Sequence, residues 1–251
     1  MKIIIRDSAA EASAAVADML LQQIGEKPDS VLGLPTGGTP LAVYARLRSA
    51  YDSGRGSYKS ITTFNLDEYL GLSADDPASY AYYMRENLFV HVDIDPDRTH
   101  IPNGSAPDAD AEAKRYEALI TACGGIDLML LGLGRNAHIG FNEPGSAHNS
   151  RTRRVALNAS TIAANAAYFA PNAEQPAHAI TMGIGTILEC RRIVVLATGS
   201  EKAAAVAASV KGPSADIVPG SALIRHPNTT FVLDKAAARD LERARTSELQ
   251  V

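Results

Sequence analysis

Short apolar runs of strand length alternate with longer, alanine-rich segments of helical period along nearly all of the 251-residue chain. That alternation marks strand–helix–strand units, which cover a parallel sheet with helices. Val31 to Leu34, Ile61 to Leu66, Ile126 to Leu133, Ile193 to Thr198 and Thr230 to Leu233 read as strands. The central ones are apolar on both faces, as buried parallel strands require. Met1 to Asp7 reads as a first strand and His178 to Met182 as a weaker one. Helices are expected over Ala9 to Ile24, Pro40 to Ala50, Ser79 to Phe89, Ala109 to Ala122, Glu201 to Val210 and Lys235 to Arg245. Thr39-Pro40 and Ser200-Glu201 read as helix starts, each a cap residue followed by a proline or an acid. Pro102 to Pro107 is a loop, but the alternation resumes on both sides, so residues 1–251 are read as one α/β domain.

Composition removes several function classes. Twenty-four Lys and Arg against 28 Asp and Glu leave a net charge of −4, too acidic for a surface that neutralises nucleic-acid phosphates. Val155 to Ala173 carries no charge, yet Asn158, Ser160, Thr161, Asn165, Pro171 and Asn172 interrupt it, so no membrane span is expected. Cys123 and Cys190 lie far apart with no Cys/His neighbours, which suggests neither a disulfide framework nor a zinc site. The apolar start at Ile3 to Ile5 is too short for a secretory leader, and a cytoplasmic location is the expectation.

Four segments can carry chemistry. Val31 to Pro40 is a strand running into Thr36-Gly37-Gly38-Thr39 and then a helix, so glycine backbone and helix N–H groups can approach an anion such as a phosphate. It is neither a Walker loop nor a G-x-G-x-x-G. Asp67 and Glu68 are adjacent carboxylates where a buried strand ends; they cannot face the same way, so one can work on substrate while the other pairs structurally. In Leu130 to Gly145 a strand leads into a loop with His138, and Glu143 follows five residues later, a spacing that lets a carboxylate orient an acid/base imidazole. Lys202, after Gly199-Ser200-Glu201, sits in a first helical turn, where a bound anion would offset the unfavourable helix dipole. His91, His100, His148, His178 and His226 lack metal-ligand spacing and read as structural or solvated.

Together these segments resemble the glucosamine-6-phosphate deaminase family. The marks are Leu34 to Pro40, Asn65 to Tyr69, Ser79-Tyr80, His138 to Pro144, Ser150 to Thr152, Thr181 to Gly183 and Gly199 to Lys202. The resemblance implies a modified doubly wound, Rossmann-like fold, with a mostly parallel sheet and helices on both faces. It implies that Thr36, Gly37, Gly38, Thr39 and Lys202 grip a sugar 6-phosphate, that His138 opens the sugar ring with Glu143 orienting it, and that Asp67 moves protons between C2 and C1. No metal or organic cofactor is implied; the partner is a small-molecule substrate, a hexosamine 6-phosphate, and the protein is expected as a monomer or homo-oligomer.

Three positions depart from the family pattern. Asn136 stands where many members carry an aspartate, keeping a hydrogen bond but lending no charge. Ala137 replaces a usual glycine, so a positive φ there implies strain. Ala167 takes the place of a usual phosphate-binding arginine, and Arg151, Arg153 or another group is needed to replace it. Val155 at a usual lysine position, with little chain after the last helix, points away from an amino-sugar activator site. The alternatives are a 6-phosphogluconolactonase-like hydrolase and a non-catalytic sugar-phosphate sensor. A nicotinamide dehydrogenase is disfavoured because no G-x-G-x-x-G precedes a suitable acid.

Overall fold

Successive residues of a strand point to opposite faces, and the central strands spend both faces on apolar burial. In β6 (Leu128–Gly132) Leu128 and Leu130 pack into one hydrophobic layer while Met129 and Leu131 pack into the other. This computed structural model describes residues 1–158, 161–163, 169 and 175–247. The other strands of the main sheet are β1 (Lys2–Arg6), β2 (Val31–Leu34), β3 (Thr62–Asn65), β5 (Thr99–His100), β9 (Arg192–Ala197) and β10 (Thr229–Asp234). Their order is β1-β10-β9-β6-β2-β3-β5, and every neighbouring pair is parallel.

Helices α1 (Ala9–Glu26), α2 (Leu41–Asp52) and α3 (Tyr80–Asn87) bury residues such as Val16, Leu20, Leu47 and Met84 in one layer. On the other side, α4 (Ala109–Ala122), α5 (Ile184–Leu188), α6 (Ala203–Lys211) and α7 (Lys235–Ser247) contribute Tyr116, Ile187, Val206 and Leu241. The doubly wound expectation is thus met. From β2 the chain moves outward to β3 and β5, then crosses to β6 on the other side of β2. The C-terminal ends of β2 and β6 therefore flank the switch point where open α/β sheets bind ligands.

Three expectations need correction. Asp67 does not end the strand before it: β4 (Asp67–Tyr69) is a separate strand that pairs antiparallel with β8 (His178–Thr181), and β7 (Arg153–Ala156) completes a second sheet. The weak strand at 178–182 belongs there, not in the parallel sheet. Short strands bearing Asp, Glu and Arg carry little apolar periodicity, so only tertiary pairing reveals them. Thr39 does not cap α2, since Pro40 holds the cap position without a side-chain hydrogen bond. Ser200–Lys202 form a 3-10 turn, and α6 begins only at Ala203, with Lys202 at its cap.

Tyr116 joins the fold to the site. Its fully buried hydroxyl lies 2.7 Å from the carbonyl of Asn65 and 3.0 Å from that of His100, tying α4 to the strand ends just before Asp67. Tyr116→Phe should cost about 1–3 kcal/mol, since buried carbonyls lose their donor; chemical denaturation measures this, and an unchanged midpoint would count against the tie.

Candidate active site

A cavity of about 620 Å³ opens where β2, β3, β6 and β9 end. The Thr36–Thr39 turn forms one wall. Gly37 has φ 100°, a left-handed conformation that side chains disfavour. Tyrosines pin this turn from behind: the Tyr44 hydroxyl donates to the Pro35 carbonyl and the Tyr83 hydroxyl to that of Gly37 at 2.6 Å. Lys202 reaches the same cavity from the end of β9. Burial lowers its pKa; Glu201 opposes that, and the nearby cation Arg135 lowers it further.

The two carboxylates at β4 divide their work by direction. Glu68 is buried and accepts backbone N–H bonds from Tyr69 at 2.8 Å, Tyr80 at 3.0 Å and Ala81 at 2.9 Å, so it fixes the start of α3. Ser79 caps the same helix by accepting from the Tyr82 N–H at 3.0 Å. Asp67 instead lines the cavity. Burial, with the charge of Glu68 beside it, pushes its carboxyl up to about 8. Burial also raises Glu68, to about 7, against the pull of its three N–H donors.

The loop after β6 delivers the imidazole. His138 Nδ1 lies 3.4 Å from Glu143 Oε1, an ion-pair distance without hydrogen-bond geometry. Glu143 also accepts from Asn136 Nδ2 at 2.7 Å and Thr161 Oγ1 at 2.5 Å, while Asn136 Oδ1 accepts the His138 N–H at 3.2 Å. Burial works against ionisation of Glu143, but His138, Thr161 and Asn136 outweigh it and hold the carboxyl down at about 2. Asn136 can thus do what an ionised aspartate cannot: it donates to Glu143 while accepting from the backbone. The loop reverses at Ala137, whose φ of 65° bears out the anticipated strain. Asn142 Nδ2 donates to the carbonyls of Ile139 and Met182, which anchors the far side of the loop.

Thr36, Gly37, Gly38, Thr39, Asp67, Asn136, His138 and Lys202 all line this one cavity, and Glu143 supports it from behind His138. Ala167 lies outside the described residues. Arg151 is spent on ion pairs with Glu117 and Glu189, and Arg153 hydrogen-bonds Asn142 and Ser146; neither lines the cavity. Sequence reading assigned no role to Arg135, Thr161 or Tyr83, nor to Tyr80, although Ser79-Tyr80 is among the family marks. The spacing of Arg135, three residues before His138 in the same loop, was the available signal. Among the described residues no group of three or more His, Cys, Asp or Glu could hold a metal ion, and no helix is long and apolar enough to cross a membrane.

Residues 6–232 match the family described as glucosamine-6-phosphate isomerases/6-phosphogluconolactonase. The chain belongs to this family. It is 52% identical to a glucosamine-6-phosphate deaminase of Cellvibrio japonicus over 96% of this chain and 92% of that protein. It is 54% identical to one of Rhodopirellula baltica over 92% of each. The solved structure of a monomeric glucosamine-6-phosphate deaminase superposes with a TM-score of 0.93 at 47% identity, covering 96% of this chain and 100% of that one. A 6-phosphogluconolactonase from Trypanosoma cruzi shares the fold, with a TM-score of 0.74 at 23% identity and 96% coverage of both chains.

Two predictions follow from this geometry. A Cβ on Gly134 would sit 2.4 Å from His138 Nε2 and 2.5 Å from two ring carbons, so Gly134→Ala must move the imidazole. Turnover should drop on the order of 10²-fold with the circular dichroism spectrum unchanged, the scale expected for roughly 1 Å of misplacement. The second concerns Asp67, whose carboxyl is raised from 3.8 to about 8. Below its unfolded value the proton is bound in both states; as pH rises toward the folded value, only the unfolded chain releases it and folding is disfavoured. Asp67→Asn should therefore be more stable than the parent around pH 8 and little different around pH 4. At about 1.4 kcal/mol per pKa unit, even half the shift gives on the order of 3 kcal/mol. Urea denaturation at both pH values tests the sign.

Proposed function

We propose that this chain is an enzyme that converts glucosamine 6-phosphate and water to fructose 6-phosphate and ammonia. One observation carries the reading: a buried carboxylate, Asp67, and an imidazole beside a carboxylate, His138, face one cavity that also contains the glycine turn and Lys202. The names of the relatives at about half identity support the same activity, whereas the lactonase likeness at 23% identity extends to the fold alone.

The chemistry runs as follows. His138 takes the proton from the anomeric hydroxyl and returns one to the ring oxygen, which opens the pyranose to the aldehyde. Glu143 and Asn136 keep the imidazole in place during this exchange. The C2 proton is then α to a carbonyl, and ionised Asp67 removes it as O1 takes up a proton, giving an enolamine; Asp67 returns its proton to C1 and the nitrogen gives one up, which leaves a C1 hydroxyl and a ketimine at C2. Water adds to that carbon, and the C–N bond breaks to release ammonia and fructose 6-phosphate. Thr36 to Thr39 and Lys202 hold the phosphate, remote from the reacting carbons, so that their binding energy is mostly uniform along the reaction. Each of these groups belongs to the same chain, in keeping with action as a monomer. A phosphorylated substrate and two free cysteines, Cys123 and Cys190, fit a cytoplasmic site of action.

Ammonia release from glucosamine 6-phosphate, measured beside hydrolysis of 6-phosphogluconolactone, tests the reading directly. Asp67→Asn should cut turnover by roughly 10²–10⁴-fold while substrate still binds. Because Asp67 acts ionised, kcat/KM should rise with pH along a limb set by the coupled carboxylates, between about 7 and about 8. Tight binding of glucosamine 6-phosphate by the parent without any turnover would replace the enzyme with a sensor.

A further inference from the structure

Resting on that reading, we propose that Arg135 is a second phosphate-binding cation, which with Lys202 and the Thr36–Thr39 turn forms the anion pocket for the substrate's 6-phosphate. Arg135 and Lys202 are the two Lys or Arg side chains among the described residues that line the cavity. They approach closely enough that Arg135 disfavours the charge on Lys202. Among the described residues neither side chain makes an ion pair or a hydrogen bond, although the chain carries 28 acidic residues against 24 basic ones.

Two neighbouring cations without an ion-pair partner among the described residues cost stability, because like charges repel and burial adds to the penalty, against which Glu201 acts on Lys202 only through its field. A dianion between them removes that repulsion and takes bonds from both. The guanidinium adds what Lys202 lacks, a planar fork that can hold two phosphate oxygens at once. The turn beside them supplies backbone N–H groups and, at Gly37, the left-handed conformation that brings them close. Among the described residues no other Lys or Arg lines the cavity. Arg151 and Arg153 are engaged elsewhere, and no Lys or Arg occurs anywhere between Arg154 and Arg191.

The position of Arg135 also separates its role from the proton transfers. It is exposed at the tip of the loop whose reversal at Ala137 aims His138, and phosphate binding at the tip leaves the imidazole anchored by Glu143 and Asn136. Arg135 therefore acts on affinity and on discrimination for phosphorylated sugars rather than on the chemical step.

Steady-state kinetics of Arg135→Gln and Arg135→Lys, with inorganic phosphate as a competing ligand, decide the matter. Arg135→Gln should raise KM for glucosamine 6-phosphate about 10–100-fold and weaken inhibition by inorganic phosphate by a similar factor, with kcat within about threefold of the parent. Arg135→Lys should recover part of both losses. Arg154→Gln, an exposed arginine outside the cavity, should change neither constant, which separates binding from long-range attraction of an anion. An unchanged KM and phosphate inhibition constant in Arg135→Gln, or a fall in kcat alone, overturns the assignment. If the parent does not turn over glucosamine 6-phosphate, phosphorus NMR of inorganic phosphate binding still distinguishes the two ideas. Binding weakened by Arg135→Gln keeps the pocket and discards the substrate, whereas binding unaffected by the substitution discards the pocket.

Discussion

The active cavity depends on how Glu68 is buried. Its carboxylate takes three backbone N–H groups where α3 begins, and that satisfies both the acid and the helix end. With Glu68 directed inward along β4, the alternation of a strand sends Asp67 the other way, into the cavity. Asp67 then has the burial of its neighbour without the compensating donors. Burial beside Glu68 therefore raises that carboxyl to about 8, the strength that the proposed role of Asp67 as a base near neutrality calls for.

The same cavity uses charge in two opposite ways. Around Glu143, donors from Asn136 and Thr161 and the imidazole of His138 at ion-pair distance surround the carboxylate and keep it ionised well into acid. Around Lys202 and Arg135, two cations stand together with no ion pair among the described residues, and Glu201 offsets the charge of Lys202 only in part. In the proposed mechanism the satisfied anion orients a proton carrier, and the two cations receive the phosphate. Arg135 shares the loop after β6 with Asn136, His138 and Glu143, while Lys202 comes from the end of β9, so the two uses of charge meet along one loop.

Glycine sets the tolerances. Gly134 leaves room for the imidazole ring, and Gly140, with φ 57°, lets the loop pass within about 3 Å of Thr181 and Asp67 where a Cβ would stand. Ala137 keeps a left-handed residue without being glycine, a local strain held in place by Gly220, whose N–H donates to the Ala137 carbonyl.

By itself the sequence determined the elements with strong apolar period. Val31 to Leu34 and Ala109 to Ala122 have the boundaries expected of them, because a buried parallel strand and an amphipathic helix write their burial into local composition. It also marked Asp67, His138, Glu143 and Lys202 as groups with work to do, since acids, imidazoles and cations at strand ends are poorly explained by packing. Only the tertiary structure decided that β4, β7 and β8 form a second sheet, that Glu68 rather than Asp67 is the structural acid, and that Arg135 and Lys202 share a cavity. Those outcomes rest on pairings between residues as distant as Asp67 and Thr181 or Arg135 and Lys202. Local periodicity carries no record of such partners; long-range packing alone brings them together.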